Sequence, residues 1–156
     1  MQKYKGFLDV HEVFTVAILV AILLTLYAYF FANHEMIKKQ ESELSSSQLI
    51  KLYAIRFIHY IGMCLIWLYV YFAKVVFFND CVFGILFCLQ ILHWIIFKEC
   101  IITIMEKQIL VPSYVAGTNL THEPFRLLVG INNEINYTLV AGTFIFATLR
   151  LTVWRK

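Results

Sequence analysis

Charged residues are scarce in this sequence. Asp, Glu, Lys and Arg make up 15% of the 156 residues, against about 25% in ordinary soluble domains. Hydrophobic residues reach 61% and the mean hydropathy is +0.74, which argues against a soluble domain and for a membrane protein. The net charge of +3 is small and scattered, so no nucleic-acid partner is expected. Lys3, Lys5, Lys38, Lys39, Arg150, Arg155 and Lys156 flank apolar stretches, where basic side chains meet lipid headgroups.

The motifs of enzyme and metal chemistry are missing as well. Cys64, Cys81, Cys88 and Cys100 form no C-x-x-C pair and no Cys/His metal spacing, and three of them lie in apolar runs, where a free cysteine packs as a small hydrophobe. There is no hydrolase elbow, phosphate loop or zinc helix. The hydroxyls and thiols of the apolar runs have no base-and-orienter arrangement of the kind nucleophilic catalysis needs. No catalytic residue, metal or cofactor is expected, and the chain reads as a non-enzyme. Proline is nearly absent. Pro112 and Pro124 both follow Lys107, where the chain turns irregular.

What is present is a succession of long apolar runs. A bilayer crossing takes about 20 residues, and residues 13–32, 49–73, 82–105 and 135–154 each supply a run of that order. The first is too long for the core of a cleavable signal peptide and lacks a small-residue cleavage site. A polar stretch, 33–48, reads as a loop or as a short extramembrane continuation of the first helix, since Glu35, Lys38, Lys39, Glu41 and Glu43 allow helical charge pairs, and it offers Ser45, Ser46 and Ser47 as caps for the second span. Asn79 and Asp80 offer a turn and a cap for the third. Between the third and fourth spans, residues 108–134 read as irregular, with Thr121 and Pro124 able to start a short interfacial helix. Ala141, Gly142, Thr143, Ala147 and Thr148 would let the last span approach its neighbours closely. The sequons at Asn119 and Asn136 do not set topology, and lysine and arginine counts do not orient the spans. The expectation is an all-α integral membrane protein, a single membrane domain over residues 1–156, with four transmembrane helices in a small antiparallel bundle.

The run from Val82 to Lys107 carries Gln90, His93, Lys98, Glu99, Cys100, Thr103 and Glu106. Ionisable groups at membrane depth cost roughly 2.5 to 3.5 kcal/mol each on insertion scales, so this reads as the buried central helix. On the second span Arg56, Tyr60, Met63 and Trp67 share a face, with His59 beside them, and that face is expected to meet the third span. A hairpin turning between about Val76 and Asp80 brings Glu99 level with Arg56 and His59. The sequence therefore predicts a structural intramembrane core of Arg56, His59, His93 and Glu99, with Arg56 neutralised by Glu99. The same mirror arithmetic, with the turn centred near Val76, sets His59 opposite His93, the geometry of an axial haem pair. That gives a rival reading, a haem-binding or proton-handling subunit of a respiratory-type complex. A carrier or channel is a third, and four spans could form one only by oligomerising.

From His93-Trp94 through Glu99-Cys100, Thr103 and Glu106-Lys107 to Tyr114 and Gly117, the order of residues resembles short multi-span proteins of unknown function encoded by large double-stranded DNA viruses. Cys100-x-x-Thr103-x-x-Glu106 is similar, more distantly, to a bacterial four-span family, whose Cys-Pro-Leu-Thr wording is absent here. The viral resemblance implies a protein of the virion's internal membrane that links membrane to capsid, and it assigns no catalytic residues. The expected partners are the lipid bilayer and other subunits of a membrane-associated or capsid assembly. The 14 Phe, 9 Tyr and 3 Trp supply amphipathic surface for both.

Overall fold

The computed structural model describes residues 6–31, 35–97, 99–116, 141–145, 147–149 and 152. All five regular elements with defined bounds are helices: α1 (Val10–Phe30), α2 (Glu35–Ser42), α3 (Ser46–Phe72), α4 (Phe77–Phe97) and α5 (Ile101–Leu110). Residues 141–145 and 147–149 are helical too. Three of the helices, α1, α3 and α4, are long and apolar enough to cross a membrane. The sequons, the possible helix after Pro124 and most of the proposed irregular loop lie outside the described residues, as do parts of the last proposed span.

Helix α1 begins after Asp9, whose backbone N–H donates to the Glu12 carboxylate at 2.7 Å. That contact satisfies a donor at the helix start and sets a negative charge near its positive end. Between Val13 and Phe30 there is no charged residue to interrupt it. Its inward face is narrow and small: Val13, Ala17, Ala21 and Ala28 are buried, so the α1 backbone can approach α3 closely. The residues around them point outward, and Phe14, Ile18, Leu19, Ile22, Leu23 and Leu26 are exposed.

Short α2 follows in the polar stretch read as a loop or as a continuation of the first helix. Two turn hydrogen bonds, Glu43 N–H to the Gln40 carbonyl (3.3 Å) and Leu44 N–H to that of Glu41 (3.2 Å), close it off. Ser45 then caps α3 reciprocally. Its hydroxyl accepts from Gln48 N–H at 3.4 Å while its own N–H donates to Gln48 Oε1 at 3.0 Å.

Helices α1 and α3 run antiparallel along each other. Val13 packs with Tyr69 and Ala73, Ala21 and Ala28 with Tyr60, and the Tyr29 ring meets Tyr53 edge-on at 5.2 Å. Their outer end is fastened by the chain before α1. Phe7 and Leu8 N–H both donate to the Phe72 carbonyl (2.9 and 3.0 Å), and Lys74 N–H returns to the Leu8 carbonyl at 2.8 Å. Gly6 sits there at φ 56°, and a Cβ on it would lie 2.1 Å from the Ala73 oxygen. No other residue type fits this position without displacement.

The turn at residues 73–76 leads into α4, which starts at Phe77 rather than after Asp80. Asp80 is therefore in the first turn and not at the cap, and it accepts a hydrogen bond from Tyr69 Oη at 2.7 Å. A run of rings ties α4 to its neighbours: Tyr69 of α3 stacks on Phe83 at 4.5 Å, Phe83 on Phe87 within α4 at 5.7 Å, and Phe87 meets Phe144 of the last helical stretch in a tilted contact at 6.4 Å. Tyr71 Oη and Thr143 Oγ1, 3.5 Å apart, join that stretch to α3.

The long central helix expected over 82–105 does not continue through. α4 ends at Phe97, the chain bends at Glu99 and Cys100, and α5 begins at Ile101. His93 stabilises the bend, with its Nδ1 3.1 Å from the Glu99 carbonyl oxygen and its ring stacked on Phe97 at 4.6 Å. α5 then packs on α3.

Candidate functional site

The most distinctive cluster surrounds Arg56, the largest fully buried side chain among the described residues. Its Nη1 donates to Glu41 Oε1 of α2 and its Nε to Glu106 Oε1 of α5, each at 2.5 Å. Arg56 is 1% exposed and Glu106 0%, so the pairing is sheltered from water and from screening salt. Tyr53 stacks under the guanidinium at 5.0 Å and donates to Glu41 Oε2 at 3.3 Å. Lys38, itself partly exposed, lies 3.6 Å from the same oxygen.

The α1–α3 register explains how an arginine comes to sit here. With Tyr29 beside Tyr53 and Val13 beside Tyr69, Arg56 falls level with Leu26, about one helical turn before α1 ends at Phe30. Helical side chains lean toward their own N-terminus. The guanidinium therefore rises toward the end of the bundle where polar α2 lies.

A second cluster adjoins the first. Lys107 Nζ donates to Glu99 Oε1 at 2.7 Å and lies 3.4 Å from Tyr114 Oη, which also donates to Glu99 Oε1. Across both clusters, the carboxylates of Glu41, Glu99 and Glu106 meet the cations of Lys38, Arg56 and Lys107. The formal charges cancel.

The expected Arg56–Glu99 pair is replaced. Arg56 takes Glu41 and Glu106, while Glu99 takes Lys107 and Tyr114. The break after Phe97 is the cause, because it removes Glu99 from the helix whose register would have carried it to Arg56. In one continuous helix Glu99, Thr103 and Glu106 share a face, so periodicity alone cannot choose between the two acids. The face expected to meet the third span is divided: Tyr60 packs among α1 alanines, whereas Arg56 reaches Glu41 of α2 and also Glu106, which belongs to the run from Val82 to Lys107. Glu41 is expected only to pair along its own extramembrane segment, and its contact with Arg56 of α3 is not signalled by the sequence. His59 is buried on α3 and His93 is partly buried at the α4 bend, so the proposed haem pair occupies two different settings.

The described residues hold one other group with metal-ligand potential, Asp9, His11 and Glu12. There Glu12 accepts the Asp9 N–H and Asp9 pairs with Lys74 at 3.0 Å, so its carboxylates already serve the start of α1.

Among the described residues these features define an all-helical fold with three helices long and apolar enough to cross a membrane and a charge-balanced ionic network. No family model, curated protein or solved structure matches it.

Proposed function

We propose that the chain is a multi-pass integral membrane protein with a structural or assembly role in a larger complex. The observation that carries this is its polarity. Arg56, Glu106 and Asp80 rank among the largest fully buried side chains, while Phe14, Leu19, Leu23, Phe78, Ile85, Leu86 and Leu89 face outward. Water would reverse that distribution, and hydrocarbon requires it. At 21 residues each, α1 and α4 are about 32 Å long, which suits a hydrocarbon core of about 30 Å.

The ionic network supports a structural purpose rather than a reactive one. Its charges are matched, its members belong to α2, α3 and α5 and the segments beside them, and its effect is to hold those elements together. Catalysis forms no part of this reading. The viral resemblance narrows it to a component of a virion's internal membrane linking that membrane to a capsid. The rival, a haem-bearing or proton-handling subunit, depends on His59 and His93 with Arg56 and Glu99.

One preparation tests both. The protein is extracted from its native membranes or particles in mild detergent, its co-purifying proteins are identified by mass spectrometry, and an absorption spectrum is taken of the same sample. Capsid or scaffold partners in a colourless sample are expected. A Soret band with respiratory subunits refutes the assembly reading, and release of the protein by alkaline carbonate alone refutes membrane integration.

A further inference from the structure

Helix α5 is inverted relative to a helix at a water-facing surface. Such a helix turns its apolar stripe inward and its charges outward. In α5 the buried positions are Thr103, Glu106 and Lys107, at 6%, 0% and 4% exposure, whereas Ile101 and Met105 are 51% and 47% exposed. The spacing of Thr103, Glu106 and Lys107 makes one inward polar face, and Ile101 and Met105 fall on another. Both inward charges are consumed within the protein, Glu106 by Arg56 and Lys107 by Glu99 and Tyr114.

The position of α5 fits the same pattern. It docks on α3 at Arg56, whose backbone lies about one turn inside the end of α1, and it follows directly from the apolar, outward-facing end of α4, where Ile95, Ile96 and Phe97 are exposed. Exposed apolar residues thus stand on both sides of the bend at Glu99 and Cys100. At ten residues it is about 15 Å long, half of what a crossing needs. Gln108, Pro112 and Ser113 are exposed at its far end.

We infer that α5 is a lipid-embedded half-helix: its Ile101–Met105 face lies against acyl chains, and its Thr103, Glu106 and Lys107 face is sealed onto the protein. This rests on the membrane reading above and adds a lipid contact outside the three long helices. Acyl chains are the occupant because the face carries no charge and belongs to a helix that has turned its charged groups away from it and onto the protein.

The test uses the full chain reconstituted in phosphatidylcholine vesicles. It is labelled in parallel with a lipid-partitioning diazirine and a water-soluble one, and the modified residues are mapped by mass spectrometry. The expected result is labelling of Ile101 and Met105 from the lipid phase at a level comparable with Ile85 and Leu89 of α4, with Ser113 modified from the aqueous phase. Lipid labelling of Ile85 and Leu89 with aqueous labelling of Ile101 and Met105 overturns the inference and leaves the membrane reading standing. Protection of Ile101 and Met105 from both probes overturns it in favour of a protein cover, such as a second copy. Failure of the lipid probe to reach Ile85 and Leu89 as well overturns the inference together with the membrane reading.

Discussion

Replacing Arg56 by methionine removes the one cation that touches both Glu41 and Glu106 while keeping most of the apolar stem volume. The two carboxylates fare differently. Glu41 keeps Tyr53 Oη at 3.3 Å and Lys38 at 3.6 Å, and since Lys38 is about a third exposed, solvent weakens what it can return. Glu106 has no exposed surface and loses its guanidinium contact. Breaking a buried pair from one side costs about 3 to 5 kcal/mol, and that range is the expected loss for Arg56→Met. Adding Glu106→Leu removes the stranded charge, so the double variant is expected to recover most of the loss, as replacement of whole buried pairs by apolar groups does. The assay is unfolding in mixed micelles by titration with denaturing detergent, followed by far-ultraviolet circular dichroism. A loss below about 1 kcal/mol for Arg56→Met, the range of exposed pairs, or a double variant weaker than the single, refutes the argument.

Three further substitutions probe the packing. Gly6→Ala places a Cβ against the Ala73 carbonyl at a left-handed φ, which alone costs roughly 1 to 2 kcal/mol; it is expected to free the segment before α1, seen as faster amide exchange at Phe7, Leu8 and Lys74. Ala21→Leu overfills the α1–α3 contact and is expected to lower stability by about 1 to 3 kcal/mol, whereas Leu23→Ala on the exposed face should stay within about 0.5 kcal/mol; equal effects in the same unfolding assay would contradict the assigned faces. Tyr69→Phe deletes the hydroxyl that donates to buried Asp80, an expected cost of about 1.5 to 3 kcal/mol for a hydrogen bond to a charged group, and no change in thermal midpoint would show that the contact is dispensable.

Helical content was legible because nothing in the first 107 residues forbids it: no proline occurs there, and the charge-free run after Val13 is as long as a bilayer crossing. The cap at Ser45 was legible for a chemical reason, since a serine before an apolar run with Gln48 three residues on can satisfy two donors at once. The end of α4 was not legible. Lys98-Glu99-Cys100 contains no glycine or proline, and the break there is held by a tertiary contact from His93 and by the competing attraction of Lys107 and Tyr114 for Glu99. Partner choice in the ionic cluster then followed from that break. Local sequence ranks Glu99 and Glu106 alike, and only the position of α5 on α3 separates them. Glu41 was hidden for the opposite reason, because a helix as polar as α2 reads as solvent-exposed until a buried arginine is found beneath it.

The fastening of Phe7 and Leu8 to Phe72 and Lys74 also bears on how the chain is made. Its two halves lie some 65 residues apart in sequence, so during synthesis the amides of Phe7 and Leu8 emerge long before their acceptor exists. α1 is made early, but its leading end stays without that acceptor until α3 and the turn into α4 have formed. A nascent chain halted before Phe72 therefore carries two backbone donors with no acceptor at the Phe72 carbonyl. Completion of the α3–α4 hairpin is in that sense recorded at the opposite end of the chain, in the hydrogen bonding of two amides.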